Sequence, residues 1–324
     1  MSTHFPTENT AMPLPNPFST SPVLLGGENR SGTTLLSIVL DSHLDLVAGP
    51  EIDFLEPPDL GPHILRAIDL LAAGDSRVAG MTKTTVDPFW YDGAHFVVQC
   101  RRFGLDFDDI RGLVSKVMVE MGEDIVSFAA RCRLINEIGE LRRARSGAQR
   151  WGLKLQRKIT RTDDFARLWP RAHFVHIVRD GRDVAASHLN TVPDWGYRTV
   201  AAAARGWLEV VSRPHRIAPP GRYLEVRYED LVSSPRPTLA RILDHLGLPW
   251  DEAVLRHAEY EHVLFDQPHG HPAAEAAGKP LHRGSIGRYV RDLTRAQVEE
   301  FEQIAEIELS RLGYLSVPSL PGNA

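Results

Sequence analysis

The chain is predicted to be an α/β protein, a mostly parallel sheet flanked by helices with helical insertions. Three observations carry that expectation. Aliphatic runs recur at residues 22–26, 151–155, 173–178 and 223–227, and each is followed by helical sequence, the alternation that parallel strands joined by crossover helices produce. The first run passes into a glycine-rich turn, Gly26-Gly27-Glu28-Asn29-Arg30-Ser31-Gly32-Thr33-Thr34. At 324 residues, 43% hydrophobic and 24% charged, the chain has the size and balance of a globular domain with a large core.

Residues 33–42 continue the turn as a helix with Leu35, Leu36 and Val39 on its apolar stripe. Residues 62–73, 110–121 and 124–146 read as further helices, and 164–169 as a short one ended by Pro170. Residues 182–189 begin a helix directly after a strand. A longer stretch, 199–217, runs up to Pro219-Pro220, which cannot continue it. Ser234-Pro235 opens the next, with Leu239, Ile242, Leu243 and Leu246 on one face and Gly247 as its C-cap. The last helix spans 294–312, where Thr294 and Gln297 have the form of a capping box. The stretch 261–285 holds three Pro, three Gly and four His, the composition of a loop able to close over a site. Residues 1–20 read as a flexible N-terminal arm, 21–315 as a single domain and 316–324 as a loose tail.

A formal charge of −5 argues against a nucleic-acid surface, so an anion site must be a local concentration of cations. Cys100 and Cys132 are too few for a disulfide framework and read as reduced thiols. The first 29 residues lack Lys and Arg, which speaks against a signal or transit peptide, and no run is long and apolar enough to span a bilayer. A soluble, cytoplasmic protein is the expectation.

The turn has the G-x-x-x-x-G-K-[ST] spacing at Gly27 and Gly32, yet Thr33 stands where a triphosphate loop carries lysine. Backbone N–H groups of such a turn still attract an anion. Without the lysine that reaches β- and γ-phosphates, the loop suits a phosphate-like group other than a triphosphate. The third aliphatic run ends in Arg179-Asp180-Gly181-Arg182-Asp183, with Ser187 farther along the helix. Ligands of open α/β sheets bind at strand C-termini, and an arginine fork there can give a phosphate two parallel hydrogen bonds.

Arg30-Ser-Gly-Thr-Thr-Leu35 and Arg179-Asp-Gly-Arg-Asp-Val-Ala-Ala-Ser187 resemble, in order, two motifs of the sulfotransferases that use 3′-phosphoadenosine 5′-phosphosulfate (PAPS). Tyr228-Glu229-Asp230 and Arg283-Gly284-Ser-Ile-Gly287-Arg288-Tyr289 are similar to two later ones. The resemblance implies a P-loop-kinase-like fold. It implies that Arg30, Ser31, Gly32, Thr33 and Thr34 bind the 5′-phosphosulfate and that Arg179 and Ser187 bind the 3′-phosphate. Tyr228 then lies near the adenine, and Arg283 and Gly284 close on the 3′-phosphate. The T-H-L-P segment of the histidine-base enzymes is missing. The chain looks more like the tyrosylprotein and bacterial small-molecule branch, which implies Glu51, in Gly-Pro-Glu-Ile-Asp, as base and Lys154 at the transferring group.

Sulfuryl transfer needs in-line positioning, cations on the leaving phosphate and a base for the acceptor proton. The expected reaction is transfer from PAPS to a hydroxyl of a small metabolite, glycolipid or natural product, releasing adenosine 3′,5′-bisphosphate. Arg30, Lys154, Thr33 and Thr34 would act on the bridging oxygen and Glu51 on the proton, with no metal cofactor, no nucleic-acid partner and no membrane span. A small-molecule or nucleotide kinase with a degenerate loop, and a non-catalytic nucleotide-binding module, are the rival readings. His257, His262, His269 and His271 invite a zinc site but lack a carboxylate or thiolate at metal spacing. Trp195, Tyr197 and Trp207 read as core, and Arg142, Arg143 and Arg145 as a solvated helix face.

Overall fold

A computed structural model describes residues 17–55, 58–74, 88–191, 196–262 and 277–315. Among them five strands, β1 (Val23–Gly26), β2 (Leu46–Ala48), β3 (Arg150–Gln156), β4 (His173–Val178) and β5 (Tyr223–Arg227), form one sheet in the order β2-β3-β1-β4-β5. Every neighbouring pair is parallel. The four expected strands are present. β2 escaped notice because three residues are too few for a period to show.

Alternation along the strands divides the core. Leu24, Leu153, Leu155 and Phe174 face a layer built from α2 (Leu60–Ala72), α3 (Pro88–Arg102), α4 (Phe107–Met121), α5 (Phe128–Ser146) and α6 (Thr162–Leu168). Val23, Leu25, Val175, Ile177 and Val226 face α1 (Thr33–Asp41) and the later helices α10 (Tyr228–Ser233) and α11 (Pro235–Leu246). A third cluster joins α7 (Gly181–Thr191), α8 (Val200–Ser212) and the closing helix α13 (Arg295–Arg311) through Trp207 and Phe301, with Tyr289 of the one-turn α12 (Tyr289–Asp292) packed against it. Each fully buried Leu or Phe of these layers contributes about 1.5–3 kcal/mol of transfer free energy.

Helix ends follow local chemistry. Gly247 caps α11 in the left-handed region at φ 66°, and Thr294 and Gln297 form the expected capping box on α13. The stretch expected as one helix over 199–217 is two. Pro214, with no N–H to donate, starts the separate turn α9 (Pro214–Ile217). α3 was not foreseen, because its mix of aromatic, charged and amide side chains blurs the helical period. The end of the expected arm is docked. Phe18 donates its N–H to the Leu168 carbonyl at 2.8 Å and stacks on Trp169, while Thr20 donates to Asn136. Residues 1–16 and the tail 316–324 lie outside the described residues. No helix among the described residues is long and apolar enough to cross a membrane.

The chain leaves β1 toward β2 and leaves β4 toward β5, on opposite sides of the sheet. β1 and β4 are hydrogen-bonded neighbours, so their C-terminal ends flank the topological switch point where open α/β sheets form a crevice. The two sequence motifs open from those ends.

Candidate functional site

The turn after β1 runs so close to β4 that a Cβ on Gly27 would lie 2.3 Å from the Ile177 carbonyl oxygen. Gly32 adopts φ 97°, and a Cβ there would meet the Tyr228 ring at 2.6 Å. Only glycine fits either position. As N-cap of α1, Gly32 offers no side chain to the first N–H groups of the helix, which remain available to an anion.

Arg30, between these glycines, is a non-glycine residue at φ 71°, a strained conformation that persists only where surroundings impose it. Its carbonyl accepts from Arg179 Nη1 at 3.0 Å, and its Nε donates to Ser187 Oγ at 2.9 Å. The first and second motifs thus meet through their own functional residues. Arg179, at the end of β4, stacks over the Tyr228 ring at 4.7 Å, donates to the Ser285 carbonyl and lies 3.5 Å from Asp183. Trp207, a core residue as expected, donates its indole N–H to the Arg179 carbonyl at 3.0 Å.

Arg30 is held below its ordinary pKa, first by burial and then by the like charges of Arg179 and Arg288. Arg179 touches Arg30, and the charge of Arg288 reaches it as well. Ser31 Oγ and Arg179 Nε are buried without a hydrogen-bond partner. Orphaned buried donors beside clustered cations fit phosphate and sulfate oxygens.

The segment after residue 282 is pinned to this cleft. Asp183 accepts from Gly287 N–H at 2.8 Å and Tyr289 N–H at 3.0 Å. Arg283 does not join: its side chain is exposed and donates to the Ser233 carbonyl at 2.7 Å, and Gly284 is exposed beside His282. Arg288, ion-paired to Asp292 at 2.7 Å, is the cation of this segment that acts on Arg30. The second motif's other charges are buried, not surface pairs. Asp180 and Arg182 bind each other at 2.7 Å, Glu302 holds Arg182, and Glu229 accepts from the Asp180 N–H.

On the other side of the turn, Lys154 near the end of β3 donates to Thr34 Oγ1 at 3.2 Å and lies 3.7 Å from Glu51. Burial holds Lys154 below its usual pKa, with the Glu51 carboxylate opposing. Glu51 is carried by the loop after β2, which is fixed by Gly49 N–H to the Gly152 carbonyl at 2.9 Å and by Ser37 to the Gly49 carbonyl. Lys158 flanks the carboxylate at 3.9 Å and Asp53 at 3.2 Å. Thr33 turns its hydroxyl inward to Gln156 Oε1 at 2.8 Å, which leaves its backbone N–H as the group offered to an anion.

Of the side residues, Arg143 pairs with Glu140 and Arg145 with Asp109, while Arg142 stacks over Phe103. His257 meets the Lys279 carbonyl and His262 meets Asp41. His269, His271 and Trp195 lie outside the described residues, and no cluster of three His, Cys, Asp or Glu groups able to hold a metal occurs among the described ones. Arg288 stands inside the late motif but was given no role there, and the Glu28–Arg157 pair was missed in sequence, because a glutamate inside a turn carries no periodic or motif signal.

A profile described as the sulfotransferase family matches residues 22–252. The protein-tyrosine sulfotransferase of Drosophila melanogaster is 24% identical over 318 residues, covering 94% of this chain and 52% of that protein. Protein-tyrosine sulfotransferase 2 of Gallus gallus is 23% identical over 304 residues, covering 90% and 69%. The chain therefore spans about half the length of the Drosophila relative. Among solved structures, the sulfotransferase domain of the Synechococcus PCC 7002 olefin synthase superposes with a TM-score of 0.61 at 22% identity, over 93% of this chain and 98% of that one. The sulfotransferase domain from the curacin biosynthetic pathway gives 0.55 at 15%, over 92% and 99%.

Proposed function

The chain belongs to the sulfotransferase family, and from that premise we propose that it transfers a sulfuryl group from PAPS to a hydroxyl of a small-molecule acceptor, with Glu51 as general base. The observation that carries this reading is the meeting of the two motifs, Arg30 donating to Ser187 while its carbonyl receives Arg179, with the Ser31 hydroxyl and Arg179 Nε buried and orphaned. Such a cluster suits a ligand with anionic groups at two points, as a 3′-phosphate and a 5′-phosphosulfate provide.

PAPS supplies the activated sulfuryl group and a phosphate leaving group. Arg179 and Ser187 hold the 3′-phosphate. The N–H groups of Gly32, Thr33 and Thr34 receive the 5′ end, with Arg30 and Lys154 stabilising charge that grows on the bridging oxygen. Glu51 takes the acceptor's proton as the new O–S bond forms and the sulfur–phosphate oxygen bond breaks. By analogy with phosphoryl transfer, positioning and electrostatics provide most of the acceleration. Tyr228, whose ring is sandwiched between Gly32 and Arg179, supports the nucleotide cleft. Both cysteines are buried and unbonded, in keeping with a reducing compartment such as the cytoplasm.

A second acceptor reading, the phenol of a peptide tyrosine, is favoured by the protein-tyrosine sulfotransferase relatives. Mass spectrometry of alcohols, phenols and a tyrosine peptide incubated with PAPS separates the two by which product gains one sulfate. In a thermal-shift comparison, adenosine 3′,5′-bisphosphate is expected to stabilise the protein and ATP–Mg²⁺ to leave it unchanged. The opposite order would return the reading to a kinase.

A further inference from the structure

Packed against the turn after β1 lies a charged network that the proposed reaction does not use. Glu28 is 1% exposed and occupies the second position of the turn. Its Oε1 accepts the Asn29 N–H at 2.8 Å, and its Oε2 is ion-paired with Arg157, the first residue after β3. Arg157 donates onward to the Tyr197 hydroxyl at 2.6 Å, the Gly206 carbonyl at 3.1 Å and Glu209 at 2.7 Å. Residue 206 has no side chain to obstruct this: a Cβ there would lie 2.0 Å from the Tyr197 hydroxyl oxygen. A buried carboxylate with an arginine of its own is costly to assemble, and nothing about closing a strand-turn-helix requires one.

We propose that Glu28 is a positioning residue for Arg30, which it sets through the Asn29 peptide while Arg157 locks it to β3 and α8. This rests on the sulfotransferase reading for what Arg30 binds. The geometry runs in two steps. Glu28 grips the Asn29 N–H, one peptide before the Asn29–Arg30 bond, His188 contacts the Asn29 carbonyl on that bond at 3.3 Å, and Arg30 itself is held at φ 71°. Releasing that grip lets the strained residue relax and moves its guanidinium away from Ser187 and Arg179.

Burial pushes the Glu28 carboxyl up to about 7, with Arg157 and the Asn29 N–H opposing. The other groups facing it are Tyr197, raised by burial, and Glu209 on α8, with His188 on α7, lowered by burial to about 4.

The test is calorimetric titration of adenosine 3′,5′-bisphosphate, which needs no acceptor, into wild type, Glu28→Gln, Glu28→Ala and Arg157→Met at pH 8 and pH 6. At pH 8 Glu28→Ala and Arg157→Met are expected to bind about 10- to 100-fold more weakly, the scale of a displaced positioning group. Glu28→Gln, which keeps an oxygen for the Asn29 N–H, is expected to recover part of that loss. It should match wild type at pH 6, where the wild-type carboxyl is protonated. Wild-type affinity in Glu28→Gln and Arg157→Met at both pH values overturns the positioning role and leaves the sulfotransferase reading standing. Failure of the wild type itself to bind overturns both.

Discussion

Arg30 is where the local and the functional demands on this chain collide. A side chain at φ 71° is disfavoured, and the surrounding contacts impose it, directing the guanidinium at Ser187 while its carbonyl receives Arg179. Arg30→Ala is expected to lower kcat by about 10²–10³-fold, the usual cost of removing one donor aimed at developing charge. Arg179→Lys should chiefly raise KM for PAPS, because an ammonium cannot reproduce a planar fork or the stack on Tyr228. Glu51→Gln is expected to reduce kcat by about 10²–10⁴-fold with donor affinity retained. Steady-state kinetics on the true acceptor would assign the base elsewhere if turnover survived. Arg30 and Arg179 could be singled out in sequence because each sits at fixed spacing in a short motif, whereas Glu51 came from the family resemblance alone. The late motif located a segment, and the turn at 283–287 leaves Arg283 exposed on the Ser233 carbonyl with Arg288 paired to Asp292.

At the scale of elements, Arg30, Glu51 and Arg179 are each carried just past the C-terminal end of a strand, and glycines fix how closely the turn after β1 nests against its neighbours. Gly32→Ala must fit a methyl 2.6 Å from the Tyr228 ring at φ 97°. It is expected to abolish detectable bisphosphate binding by calorimetry and to lower the Tm. A contrasting change is Thr294→Ala, which removes one half of the α13 capping box. It should cost about 1 kcal/mol, a fall in Tm of about 1–2 °C, with nucleotide affinity unchanged. Helices with a clear apolar stripe and recognisable caps were readable from sequence, as α11 and α13 show. β2 was too short, α3 too mixed, and the break at Pro214 was obscured by helix-compatible residues on both sides.

For the whole molecule, pH acts through buried imidazoles. Burial lowers His173 and His188 to about 4 and His176 to about 3. In the unfolded chain these groups bind protons near their ordinary value, so between about pH 6.5 and 4 the unfolded state holds more protons and stability falls as pH falls. Glu28 works the other way, since its raised pKa favours the folded state below about pH 7. Burial lowers His245 and His257 as well, while Asp183 and Glu229, raised by burial, and His262, raised despite burial by Asp41, oppose them together with Glu28. The lowered imidazoles carry the larger shifts, so Tm followed by circular dichroism is expected to decline from pH 6.5 to pH 4. A rising Tm would show that these imidazoles are not held neutral. The sequence by itself determined the strand-helix alternation and the spacing of the two glycine- and arginine-bearing motifs, because period and spacing are properties of neighbouring residues. Only the tertiary structure decided that β1 and β4 lie side by side at the switch point. It also decided that Lys154 lies 3.7 Å from Glu51, that Arg283 stays exposed on the Ser233 carbonyl, and that a buried Glu28–Arg157 pair backs the loop. Those facts depend on which distant segments touch, and contacts between residues far apart in sequence leave no periodic trace in one chain.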